Sequence, residues 1–188
     1  MIKQLAFWKM KGRPPGVYES CQTRKFKYGR TEVIRPTSNE STKFVKLMMD
    51  SNATDDERVK ALNEAAKRHL TYAGWAANGQ GVDRHLFGLK NLLKDGEELH
   101  EALRSPSLSK SSKWELSTSQ LSSQYFDGWG YSEVVNEGFG LAYAIQDKSI
   151  RWTITCTNGE GKILLHYLSE SANELRDLME RYNNKPKL

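Results

Sequence analysis

Four short stretches carry side chains able to hold and activate a small polar ligand: Tyr18-Glu19-Ser20, Gly29-Arg30-Thr31-Glu32, Asp83-Arg84-His85 and Ser117-Thr118-Ser119-Gln120. The guanidinium of Arg84 offers parallel donors that match a carboxylate in orientation as well as charge. Tyr18, Ser20 and Thr31 add hydroxyl donors. A hydroxyl cluster such as Ser117-Thr118-Ser119 is common at the end of a strand, where it can face an oxyanion. Taken singly, each group reads as a surface arginine or an ordinary strand hydroxyl. The two cysteines, Cys21 and Cys156, are far apart and neither has a CxxC partner. They read as reduced thiols of an intracellular protein, and no metal site is expected.

Those stretches sit within a legible series of elements. The 188 residues are 38% hydrophobic and 10% aromatic, enough for the core of one domain or one lobe. No run approaches the roughly 18 apolar residues of a membrane span. Met1 to Lys11 lacks a small-residue cleavage site and reads as the tail of an amphipathic helix, ended by Arg13-Pro14-Pro15-Gly16. Phe44, Val45, Leu47 and Met48 predict a short helix. Thr54-Asp55-Asp56-Glu57 is a capping box, followed by Val59, Leu62, Ala66, Ala73 and Ala76 at helical spacing up to Asn78-Gly79. A helix is expected from Arg84 to Arg104, with Leu86, Leu89, Leu92 and Leu93 apolar and a break at Lys94-Asp95-Gly96. Ser105 to Lys113 reads as a flexible loop. Beyond it Trp114-Glu115-Leu116 leads into a strand, and Phe139 to Gln146 and Ile150 to Thr157 predict two more. In the last of these Ile150, Trp152, Ile154 and Cys156 alternate with polar residues, so one face is expected to be buried. Ser171-x-x-Glu174 reads as the cap of a closing helix with Leu175, Leu178, Met179 and Tyr182. Helices, then strands, then a helix imply an α/β or α+β layered lobe, a mixed sheet flanked by helices.

The net charge is +5, with much of the excess near the front in Lys9, Lys11, Arg13, Arg24, Lys25, Lys27 and Arg30. A solvated surface explains such a run, and so does attraction for a polyanion, either a phosphorylated cofactor or nucleic acid. Against nucleic acid, the chain has no zinc-finger spacing, no RNP-type aromatic motif and no basic zipper. A basic adaptor domain stands as the weaker reading.

In their order along the chain, the four stretches resemble the C-terminal half of a carnitine acyltransferase. Gly138-Phe139-Gly140-Leu141-Ala142-Tyr143 resembles that family's glycine-aromatic-glycine turn and strand, where glycines admit a close backbone approach or a positive φ. The resemblance runs from about Gln4 to Leu188 and implies one lobe with a chloramphenicol acetyltransferase-like fold. It implies transfer of an acyl group between coenzyme A, a co-substrate rather than a resident cofactor, and the hydroxyl of carnitine. By the same resemblance Arg84 anchors the carnitine carboxylate, and Tyr18, Ser20 and Thr31 surround it. Ser119 stabilises the tetrahedral intermediate within the Ser117-Thr118-Ser119 motif, and Gln120 lies along the coenzyme A channel. Trp129 corresponds to the aromatic that faces the trimethylammonium. An arginine at position 84 favours carnitine over choline. Tyr125, Phe126 and Trp129 crowd the acyl side and favour acetyl.

The family's catalytic histidine lies in its N-terminal half, before an Asp-Gly pair. None of His69, His85, His100 and His166 has that context, so the base is expected from a separate N-terminal lobe and this chain alone is expected to be inactive or a non-catalytic carnitine-binding remnant. Leu70 stands where some relatives carry an arginine near the cofactor. The terminal Pro186-Lys187-Leu188 resembles a peroxisomal tripeptide, which puts the peroxisome ahead of the mitochondrion.

Overall fold

The computed structural model describes residues 1–185; the Pro186-Lys187-Leu188 tripeptide lies outside the described residues. Twelve elements follow in chain order among them. They are α1 (Ile2–Lys11), β1 (Val17–Gln22), β2 (Thr31–Ile34), α2 (Asn39–Met49), α3 (Asp55–Ala77), α4 (Asp83–Asn91), α5 (Glu101–Arg104), α6 (Pro106–Ser111), β3 (Leu116–Gln120), β4 (Phe139–Ile145), β5 (Ile150–Thr155) and α7 (Gly161–Asn183). The strands form one sheet in the order β2-β1-β3-β4-β5. Its three central strands are parallel, and each edge strand is antiparallel to its neighbour. The layered α/β architecture expected from the sequence is therefore present.

Helices cover one face of this sheet. Phe7 of α1, Val17, Leu116, Phe139 and Leu141 of the strands, and Leu164 and Leu168 of α7 form one buried cluster. Leu5, Phe44, Val45, Ala61 and Ala65 join α1, α2 and α3 in a second. Each large apolar side chain so buried contributes roughly 1.5–3 kcal/mol. The capping box at Thr54 and Glu57 forms as expected, with the Thr54 amide donating to Glu57 at 2.8 Å. No helix among the described residues is long and apolar enough to cross a membrane.

Five local expectations are corrected. The buried stripe of α3 is Val59, Ala61, Ala65, Tyr72 and Ala76, because the small residues Ala61 and Ala65 let α2 approach closely while Leu62 packs only at the margin. The leucines of α4 and the turn after it are not core: α4 buries none of its residues and Leu92 is 77% exposed. The Ser105–Lys113 stretch contains the short helix α6, with Pro106 in its first turn where a missing N–H costs nothing. Ser171 does not cap the last helix. That helix starts ten residues earlier, because Leu164 and Leu168 extend the periodicity of Leu175 and Leu178; Ser171 lies buried in its middle. Strand β5 is an edge, so its alternating residues are only partly covered.

Candidate active site

The alternation of side chains along a strand sends neighbours to opposite faces of the sheet. In β1, Val17, Glu19 and Cys21 turn toward the helices, and Tyr18 and Ser20 turn away. The parallel register pairs Tyr18 with Ser117 and Glu19 with Thr118, so Ser117 and Ser119 share the face of Tyr18 and Ser20. There the Oγ atoms of Ser20 and Ser119 lie 2.7 Å apart, with either able to donate. Thr31 belongs to this face too, since it pairs with Gln22 and Val33 pairs with Ser20.

Arg84 reaches the same face from α4. Its Nε donates to the Thr31 carbonyl at 2.6 Å. Arg84, Tyr18, Val33, Asp83 and Phe87 line one cavity of about 210 Å³. The helix is set by its neighbours. The Arg84 amide donates to the buried Glu32 carboxylate, and Asp83 receives Arg35 at 2.8 and 2.7 Å. The Arg35 guanidinium in turn lies 4.7 Å from the centre of the Trp114 ring, and Trp114 meets Tyr18 edge-on at 5.9 Å. Arg35, Asp83 and Trp114 thus tie the anchor helix to the tyrosine.

Beneath the serine pair, on the helix side, lies a buried polar network. Lys3 forms an ion pair with Glu19 and donates to Thr118 Oγ1 at 2.6 Å. Thr118 Oγ1 is 2.8 Å from Glu19, and the Tyr143 hydroxyl donates to Glu19 at 2.7 Å. Burial works against ionisation of Glu19, yet Lys3, Tyr143 and Thr118 outweigh it and hold the carboxyl below its usual range. Burial also pushes the Tyr143 hydroxyl up, with the Glu19 charge adding to it. The middle residue of the Ser-Thr-Ser motif is therefore a structural post that locks β1 to β3.

The remaining residues fall elsewhere. Trp129 lies on the far side, in a cavity of about 270 Å³ with Leu121, Phe126, Ala144 and Arg151. That cavity does not include Arg84 or Tyr18. The Trp129 indole N–H is buried without a protein partner, and its ring packs 5.3 Å from Tyr131. Tyr131 lies over the serine face and its hydroxyl is 3.0 Å from the carbonyls of both Ser117 and Leu141. Gln120 is exposed and donates to Ser122 at 2.9 Å. His85 shares a cleft with Arg84 and Thr31. His100 accepts from the Ala102 amide at the start of α5, His166 is exposed on α7, and burial pushes the His69 imidazole below its ordinary range. None of the four histidines hydrogen-bonds to Ser20 or Ser119. The glycines of Gly138-Phe139-Gly140 have no positive φ. Instead, a Cβ on Gly140 would fall 2.4 Å from the Tyr131 carbonyl oxygen, so this glycine admits the protein's own backbone.

Sequence reasoning passed over Lys3, Arg35, Tyr131 and Tyr143. Glu19 had a signal: it alternates with Val17 and Cys21 and so falls on the inward face, where a carboxylate needs partners. Nothing in the local pattern marks Tyr131.

A model of the choline/carnitine O-acyltransferase family matches residues 1–170. This chain belongs to that family. The chain is 42% identical to the mitochondrial carnitine O-acetyltransferase of Saccharomyces cerevisiae (strain ATCC 204508 / S288c), over 98% of this chain and 28% of that protein. It is 32% identical to the carnitine O-acetyltransferase of Columba livia over 94% of this chain and 29% of that protein. With the mitochondrial carnitine O-palmitoyltransferase 2 of Mus musculus it shares 36% identity over 94% of this chain and 28% of that protein. The chain thus spans less than a third of the length of these curated relatives.

Proposed function

We propose that this chain forms the carnitine-binding and oxyanion-stabilising wall of a carnitine O-acyltransferase. The observation that carries the reading is the Ser20–Ser119 hydroxyl pair, 2.7 Å apart, on the same sheet face as the cavity shared by Tyr18 and Arg84. Arg84 takes the carnitine carboxylate, with Tyr18, Ser20 and Thr31 as further donors. The carnitine hydroxyl loses its proton to a base and its oxygen attacks the thioester carbon of acyl-coenzyme A. Ser119 donates to the oxygen that gains charge; the C–S bond then breaks and the thiolate takes a proton. Preorganised donors suit this step because they need not reorganise as charge develops. Ser117 and Thr118 hold Ser119 in place, and Gln120 faces the coenzyme A side. Coenzyme A is a co-substrate here, not a resident group.

Phe126 and Trp129, which line one cavity, favour a short acyl group, while Tyr125 is exposed and adds nothing to that cavity; one of the relatives is named a palmitoyltransferase. The base comes from a second lobe, which makes this chain by itself a poor catalyst. The relatives' names support the mitochondrion; they lend nothing to a peroxisomal reading of the last tripeptide. Calorimetric titration with carnitine tests the proposal directly. Binding to the wild-type chain that Arg84→Ala abolishes supports it; equal binding to both overturns it. Thiol release from acetyl-coenzyme A in the presence of carnitine separates an active enzyme from a second reading, a non-catalytic carnitine-binding lobe, which the absence of a histidine bonded to the serine pair favours.

A further inference from the structure

The basic residues near the front of the chain divide into two groups. Lys9 pairs with Glu170 and Glu174, Lys11 with Glu160, and Arg13 with Glu115. Those charges are spent inside the fold. Arg24, Lys25, Lys27 and Arg30 make no ion pair among the described residues. They sit on the hairpin between β1 and β2, where no acidic residue occurs from Cys21 to Thr31. The flanking carboxylates, Glu19 and Glu32, are buried. Two aromatics stand among the cations: Tyr28 is 84% exposed and Phe26 49%.

The hairpin is built rather than loose. The Phe26 amide donates to Thr23 and the Gly29 amide to Phe26, each at 3.0 Å, and Thr23 closes on Arg30. Gly29 is required, since a Cβ there would fall 2.0 Å from the Thr23 carbonyl oxygen. Lys25 is steadied on Asn78 at 2.7 Å, while Lys27 lies over the Tyr28 ring. The four cations are spread over the seven positions from Arg24 to Arg30. Such a spread matches an extended anionic surface better than a single phosphate. An exposed tyrosine beside lysines suits the headgroup layer of a bilayer, where the ring is half in apolar surroundings and the hydroxyl stays wet. For stacking on nucleic-acid bases the Tyr28 ring would have to give up the Lys27 contact.

We propose that the tip from Arg24 to Arg30 docks this protein on a membrane surface rich in anionic lipid. Sedimentation with phosphatidylcholine vesicles, with and without phosphatidylglycerol, reads the binding. The wild type sediments with the anionic vesicles and not with the neutral ones, and added salt releases it. Arg24→Ala with Lys27→Ala weakens the partition about ten-fold or more. Tyr28→Ala weakens it further without changing the salt dependence. Lys60→Ala with Lys67→Ala removes the same charge from the exposed side of α3 and leaves binding unchanged. Equal sedimentation with both vesicle types overturns the proposal, as does an equal loss in the α3 control. Release by free coenzyme A or inorganic phosphate at the ionic strength where salt alone has no effect makes the tip a small-anion site instead. Tighter binding to duplex DNA than to anionic vesicles, lost in the same hairpin variants, makes the partner a nucleic acid.

Discussion

Glu32 receives the backbone amide of Arg84 on both carboxylate oxygens, at 3.2 and 3.3 Å, and so fixes the first turn of the helix that carries the guanidinium. Glu32→Ala leaves that part-buried amide without its acceptor, at a cost of about 1 kcal/mol. Denaturant unfolding will register the loss. Carnitine titration of the folded variant will show weaker binding, in the same direction as Arg84→Ala.

Arg84→Ala removes a charge-assisted contact to a carboxylate, which is worth about 1.5–3 kcal/mol. Carnitine binding is expected to fall at least ten-fold. Choline has no carboxylate, so its affinity should stay within two-fold or so of the wild type by the same reasoning. Parallel titrations with the two ligands separate loss of the anchor from a general loss of the cavity; an equal fall for both would place Arg84 outside the site.

The Lys3–Glu19 pair is buried with Thr118 and Tyr143. Removing one partner strands the other charge, and Glu19→Gln is expected to cost about 3–5 kcal/mol. Adding Lys3→Met removes the stranded ammonium and should restore a good part of the loss. A double-mutant cycle by urea unfolding measures the coupling; additive costs would show that the two residues act independently.

Acid stability follows from two carboxylates. Burial opposes ionisation of Glu19 and Glu115, yet both are held below their ordinary value of 4.5, Glu19 by Lys3, Tyr143 and Thr118 and Glu115 chiefly by Arg13 and the Gly16 amide. A carboxyl whose folded pKa is depressed stabilises the fold fully above its unfolded pKa. That contribution disappears as pH falls through the folded value. Thermal unfolding should therefore be flat in pH above about 5 for these groups and fall below 4.5. Glu19→Gln will show a shallower acid slope from a lower plateau.

Gly140→Ala drives a methyl group into the Tyr131 carbonyl and the backbone of Ser132. Overpacking of this kind costs about 1–3 kcal/mol. A lowered melting temperature and weaker carnitine binding are expected together, because the displaced segment carries Tyr131 over the serine face. An unchanged melting temperature would mean that the segment yields freely.

The sequence was readable where local chemistry and tertiary packing agree. The capping box at Thr54 and the strands from Phe139 and Ile150 appear in place, whereas the first helix stops on Gly12 in the left-handed region rather than on the prolines that follow it. Reading failed where a local signal lost to packing. Ser171 and Glu174 have the spacing of a cap, yet Leu164 and Leu168 had already committed that stretch to helix. The leucines after Arg84 have helical spacing, but no layer covers them in these residues. The candidate site was legible as a set of motifs. The ties between its parts were not, because Arg35–Asp83 and Lys3–Glu19 join residues 48 and 16 positions apart whose pairing only the folded topology creates.

The alternation along β1 leaves little room for error in strand alignment. A shift of one residue between β1 and β3 would carry the Glu19 carboxylate out to water and press the hydroxyls of Tyr18 and Ser20 against the apolar layer of Phe7 and Leu168. The ion pair under the sheet therefore acts as a key for the threading of the chain. An insertion or deletion within Val17–Gln22 should leave no folded protein to assay, whereas a change of length in the exposed turn that follows should be borne far more easily.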